Sequence, residues 1–175
     1  MRVSRVTSGF HFFPYPPDHA DGRTNNGGID LIRNPERIDE ISELSSFPSL
    51  RRILTRLNAP NGQFMTLGVA AGELDGGGFG GYIEFAFRDP RLAQQEENIR
   101  HLLRSFSDWT SGEYPEVAES VDSSFVAEIQ GFHLHGVPHG DRLALWFRAT
   151  HREACDELLG FLAYFLVEKY IPKDA

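Results

Sequence analysis

The sequence predicts an α+β fold: an antiparallel sheet built from two ββα units (a β-hairpin, then a helix), with helices packed on one face and an N-terminal strand and helix segment beside them. Three observations predict it. Apolar residues alternate in paired runs, at 65–71 with 83–87 and at 125–135 with 143–147, which is the period of half-buried strands. Each pair is followed by apolar residues at helical spacing. Both return strands end on Phe-Arg, at Phe87-Arg88 and Phe147-Arg148, just before a helix start.

At 175 residues the chain is expected to form one domain, 1–175. Residues 1–62 hold N-terminal strands and two short helices, 63–109 the first ββα unit, 110–123 an acidic linker and 124–170 the second ββα unit. Strands are expected at 2–7 and 10–13, then an irregular loop at 15–28, dense in Pro, Asp, Asn and Gly. A brief strand at 29–33 leads to Asn34-Pro35, a capping residue followed by Pro at the first helical position. Ile38, Ile41 and Leu44 predict a helix over 35–45. Pro48 starts another, with Leu50, Ile53, Leu54 and Leu57 on one face.

In the first unit Met65, Leu67, Val69 and Ala71 alternate outward from the turn GGGFGG (76–81), and Ile83, Phe85 and Phe87 alternate on the return. Asp89-Pro90 opens a helix whose stripe is Leu92, Ile99, Leu102, Leu103, Phe106 and Trp109. In the second unit the strand 125–135 turns at 136–141 and returns through Leu143, Leu145 and Phe147. Thr150 with Glu153 forms a capping box for a largely buried helix running through Tyr170. Ala127 and Ile129 are in one phase and Phe132 and Leu134 in the other, so a bulge is expected at Gly131.

Composition limits the function classes. With 41% hydrophobic residues the chain is not expected to be disordered, and its 14 Phe must fill a core or form a contact surface. No apolar run reaches the roughly 20 residues of a membrane span, and the N-terminal stretch lacks the apolar region of a signal peptide. Cys155 is the single cysteine, which suits a reducing compartment. A cytoplasmic, soluble protein is the expectation.

The net charge of −8 is placed unevenly. Residues 73–141 carry thirteen acids and four Arg, whereas the flanking segments are nearly balanced. Between Arg104 and Arg142 there is no Lys or Arg, while Asp108, Glu113, Glu116, Glu119, Asp122, Glu128 and Asp141 all fall there. Such a surface repels nucleic acid and anionic lipid and attracts a basic partner.

If helices cover one face of the sheet, alternation sends Tyr82, Glu84, Arg88, Trp146 and Arg148 to the other. With the bulge at Gly131, Glu128, Gln130, His133 and His135 would join them. Trp, Tyr and Arg are the residues that anchor protein interfaces; equally, the N-terminal segment could cover this face, since Phe10, Phe12, Phe13 and Tyr15 need somewhere to pack. Phe79 would ride on the bare glycine tip.

Candidate chemistry is thin. His133, His135 and His139 could supply a metal triad, with the loop 15–28 as a lid, although no carboxylate is placed by spacing. Gly76, Gly78 and Gly81 form a formal GxGxxG, but a strand follows where a dinucleotide site needs a helix. Cys155 lies one turn from His151 at the start of a buried helix, where Cys usually packs as a small hydrophobe. Asp18 and Asp21 lack the rest of a calcium loop. No cofactor is expected.

Charge, size and the lack of a catalytic motif predict a non-enzymatic binding protein that inhibits or neutralises a basic protein, as bacterial toxin-immunity proteins do. Its expected contact residues are Glu113, Glu116, Glu119, Asp122, Glu128, Phe79, Tyr82, Arg88, Trp146 and Arg148. The alternative is a metal-dependent enzyme using the histidines at 133–139. A homodimer through the outward sheet face or an exposed hairpin edge is compatible with either.

Overall fold

The computed structural model describes residues 1–18 and 26–171. The strands are β1 (Arg2–Phe13), β2 (Phe64–Glu73), β3 (Phe79–Phe87), β4 (Phe125–Leu134) and β5 (Val137–Ala149). They form one sheet in the order β1-β4-β5-β3-β2. The helices are α1 (Pro48–Leu57), α2 (Pro90–Ala93), α3 (Glu96–Glu113), α4 (Ala118–Ser123) and α5 (Arg152–Tyr164), the last continued by a π turn at Phe165–Lys169. The class is therefore α+β as expected, with each hairpin followed by helix along the chain. The four hairpin strands pair antiparallel, and β1 adds a parallel strand against β4, so the sheet is mixed.

One face of the sheet carries the main core. Ile83, Phe85, Phe87, Phe125, Ala127, Ile129, Leu143, Leu145 and Phe147 meet Leu50, Ile53, Leu54 and Leu57 of α1, Ile99, Leu102, Leu103 and Phe106 of α3, and Leu158, Leu159 and Leu162 of α5. Each such side chain contributes roughly 1.5–3 kcal/mol on leaving water, and this layer fixes the sheet against the helices. Asn58 ends α1: its side-chain amide donates to Leu54 O and Thr66 Oγ1, and its Oδ1 accepts from Thr66 N. The helix end is thereby tied to β2.

The opposite face carries a second, smaller core of Phe13, Met65, Leu67, Ala86 and Phe132, flanked by Tyr15 and Leu134. This core accounts for the apparent change of phase in β4. Phe132 keeps the outward alternation of Glu128 and Gln130 and packs under Phe13, so no bulge at Gly131 is needed. The register shift lies one residue on, between Phe132 and His133, where His139 is the extra residue on β5. A second shift, between Thr66 and Gly68, lets Met65 and Leu67 serve the small core while Val69 and Ala71 pack against the main one.

Several local expectations are corrected. Residues 2–13 form one strand, with a register shift between Val6 and His11 and Gly9 at φ 73°. The helix expected over 35–45 is two 3₁₀ segments, Pro35–Glu40 and Ser42–Ser45. Ile38, Ile41 and Leu44 recur every third residue, which is the 3₁₀ period. Residues 31–33 turn rather than extend, because Asp30 Oδ1 accepts from Ile32 N and Arg33 N. Helix α5 is capped by His151 Nδ1, which accepts from Ala154 N, and not by Thr150. The expected linker is largely helical, with α3 reaching Glu113 and α4 beginning at Ala118. The middle of the loop 15–28, including Asp21, lies outside the described residues.

Candidate functional site

The outward face of the sheet is half covered. At one end the segment through Phe13 and Tyr15, with Gly28 laid over the Phe13 ring, closes the small core. A Cβ on Gly28 would come within 2.8 Å of that ring, so only glycine permits the approach. At the other end the face is open. Val126, Trp146, Tyr82 and Ala70 stand side by side across β4, β5, β3 and β2. Trp146 is 45% exposed, and its ring lies 4.9 Å from that of half-buried Tyr82.

Between the covered and open halves lies a buried ionic cluster. Arg142 donates from Nη1 to Glu84 Oε1 at 2.6 Å and from Nη2 to Gln130 Oε1 at 2.5 Å, with Glu128 Oε1 3.7 Å from Nη2. Arg142 is 5% exposed and Glu84 8%. Burial pushes the Glu84 carboxyl above its ordinary range, opposed by Arg142. His11 Nε2 lies 3.7 Å from Glu84 Oε2, yet burial, then the Arg142 charge, lower its pKa to about 4. At neutral pH that ring is uncharged, so the contact is not an ion pair. The Tyr15 and Tyr82 phenols are raised above their ordinary value, first by burial and then by neighbouring negative charge, including Glu84 and Glu43.

The acidic residues gather at the end of the molecule formed by α3 and α4. Asp108, Glu113, Glu116 and Glu119 are exposed and make no ion pair among the described residues. Elsewhere surface carboxylates meet Arg: Glu40 with Arg37, Asp39 with Arg51, Asp89 with Arg91, Glu97 with Arg104 and Glu168 with Arg56. Asp122 is engaged by the N-terminal ammonium and by Ser107. Glu119, Asp122 and Val126 line a common depression with Met1 and exposed Arg2, and Val126 stands between Arg2 and Trp146 as register partner of both. Acid corner and aromatic ridge are thus one continuous surface. On its flank a groove of about 680 Å³, lined by Val117, Ser120, Arg148, Glu157, Leu158 and Phe161 among others, separates α4 from α5.

Other expected site residues part from this surface. Phe79 is not at an open tip: it begins β3, its ring 6.4 Å from that of buried Phe47, against the main core. Arg88 is not outward: its guanidinium donates to Phe64 O, Pro60 O and Leu57 O, closing the carbonyl end of α1, and burial lowers its pKa. Arg148 is exposed, so the repeated Phe-Arg pair serves two different ends. Glu128 is half-buried on the outward face beside Arg142.

The histidines do not converge. His139 is buried, with Nε2 2.9 Å from Phe87 O. His135 Nε2 is 2.8 Å from Asp30 Oδ2. His133 packs between Phe10 and Phe12, with ring centroids 4.9 Å from each. No group of three metal-ligating side chains occurs among the described residues, and the metal reading is set aside. Cys155 is fully buried, its thiol pushed up to about 11 chiefly by burial. The glycine tip precedes β3, not a helix.

Arg142, His11 and Glu43 are not among the residues expected at this face. Arg142 could have been found, since it shares the alternation of Trp146 and Arg148. The covering segment is one of the two expectations for this face, and Phe13 and Tyr15 do pack there, whereas Phe10 and Phe12 stay exposed. No described helix is long and apolar enough to cross a membrane. Compared with protein-family models, curated proteins and solved structures, the chain has no significant match.

Proposed function

We propose that the protein is a non-catalytic binding protein that occludes a basic protein partner, in the manner of a toxin-immunity protein. The observation that supports this reading is the continuous surface running from Glu113, Glu116 and Glu119 through Val126 to Trp146 and Tyr82. Glu113, Glu116 and Glu119 form no ion pair among the described residues, while Arg37, Arg51, Arg56, Arg91 and Arg104 pair with acids elsewhere. Unpaired charge of one sign accelerates encounter with an oppositely charged protein. An exposed Trp packed against a Tyr, on neighbouring strands of the sheet, supplies the apolar anchor that slows dissociation.

The test is differential capture. Immobilised wild type and the Glu113→Lys, Glu116→Lys, Glu119→Lys variant are exposed at low salt to extract from the cells that encode the protein. A basic protein should be retained by wild type, released by salt and missed by the variant. Identical retention profiles for the two baits would overturn the proposal.

A further inference from the structure

At the far end of the aromatic ridge, Tyr82 also lines a cavity of about 440 Å³, shared with Tyr15, Glu40, Ile41, Glu43, Leu54 and the β2 segment 66–70. That volume lies within the usual range for a small-ligand site. Its chemistry is uneven. Ile41, Leu54, Leu67 and Val69 give apolar walls, and the two tyrosine rings flank the opening onto the ridge. Glu40 is already paired with Arg37, but Glu43 has no cation partner among the described residues.

The inner end is marked by Gly68. A Cβ built there would lie 3.0 Å from Glu84 Oε2 and 3.2 Å from the Tyr15 hydroxyl. Glycine lets Glu84 Oε2 and the Tyr15 hydroxyl close against β2 there, and neither oxygen accepts a hydrogen bond from the described residues. Glu84 gives its other oxygen to Arg142, so Oε2 is the buried cluster's remaining acceptor. The negative charge of Glu84 and Glu43 reaches both phenols and helps keep them protonated. Aliphatic walls, aromatic faces and the Glu43 carboxylate in the lining form a receptor for a cation on an apolar stem.

We infer that the cavity between Tyr15 and Tyr82 accepts a guanidinium or ammonium group carried on an aliphatic stem. Naming its source as a basic side chain of the partner rests on the function proposed above; the cation chemistry itself does not. The stem lies along Ile41 and Leu54, the charged head meets Glu43, and Tyr82 links the bound group to Trp146.

The test is a titration of the full chain, followed by amide chemical shifts, with N-acetyl-arginine amide, its uncharged citrulline counterpart and a blocked Gly-Arg-Gly peptide. The arginine probe should give saturable shifts centred on 66–70 and Tyr82, while the citrulline probe gives none. Glu43→Gln should weaken binding about threefold, as for a partly exposed ion pair. If the peptide binds at least as well as the amide, the occupant is a protein side chain; if only the amide binds, it is a small organic cation. Shifts that do not saturate, that centre elsewhere, or that citrulline reproduces would overturn the inference. The triple Lys variant of the acid corner should bind the arginine probe like wild type, so pocket and partner surface fail separately.

Discussion

Replacing Arg142 by Met removes the one cation buried in the sheet's ionic cluster while keeping most of the side-chain volume. It takes away the 2.6 Å bond to Glu84 and the 2.5 Å bond to Gln130, leaving an 8% exposed carboxyl with no charge partner but the neutral His11 ring. Removing one partner of a buried pair costs about 3–5 kcal/mol. With a urea m-value of about 2 kcal/mol/M, the unfolding midpoint should fall by about 2 M at pH 7. Glu84→Gln in the same chain should recover a large part of that loss, because the uncompensated charge goes with it.

The pH dependence follows from burial. Glu84 is already raised above its ordinary value, and losing Arg142 raises it further. A carboxyl with a raised folded-state pKa stabilises the fold below its unfolded pKa, and this contribution is lost as pH rises through the folded value. The gap between variant and wild type should therefore narrow as pH is lowered from 7 towards 5. Urea unfolding of wild type, both single variants and the double variant at the two pH values gives every quantity. A loss under about 1 kcal/mol at pH 7, or one unchanged at pH 5, would refute the reasoning, since a buried unpaired charge costs several times that.

Three further outcomes are expected. Arg88→Met strips three carbonyls at the end of α1 and the start of β2 of their donor and should cost about 2 kcal/mol in urea unfolding, moderated by partial exposure; no loss would return Arg88 to the surface. Gly140→Ala places a Cβ 2.4 Å from the backbone carbonyl carbon of Ala93, so soluble expression or cooperative melting should fail, as neither β5 nor α2 can give way cheaply. Trp146→Ala should change stability by less than about 1 kcal/mol and, because Trp109 alone remains, shift the tryptophan emission to the blue; it should also weaken capture of the partner.

The hairpins were legible because alternation is local: Ile83, Phe85, Phe87, Leu143, Leu145 and Phe147 all face the helices as their spacing requires. Helix α1 was legible for the same reason, and so was the open position of Trp146. The parallel pairing of β1 was not, since Val3 or Val6 pairs equally well with many strands until the whole sheet is assembled. Ile38, Ile41 and Leu44 recur at a strict period of three, which fits the two 3₁₀ segments better than an α-helical stripe. Phe132 and Leu67 misled because a second small core rewards apolar side chains on the face expected to be polar. Phe79 and Arg88 misled through their neighbours: a glycine-rich tip and an outward phase describe the backbone, but the Phe47 ring and the open carbonyls of α1 decide where those side chains go. The metal reading came from three histidines close in sequence, and the bulge at His139 together with the turn at His135 sends them to three different partners.

The most direct test of the central claim is the association rate of the captured basic protein with wild type and with the Glu113→Lys, Glu116→Lys, Glu119→Lys variant across a salt series. Wild type should associate fast at low salt and slow steeply as salt screens its acid corner. The variant should be slow and nearly flat across the series. Equal rates for the two proteins at low salt would contradict the account.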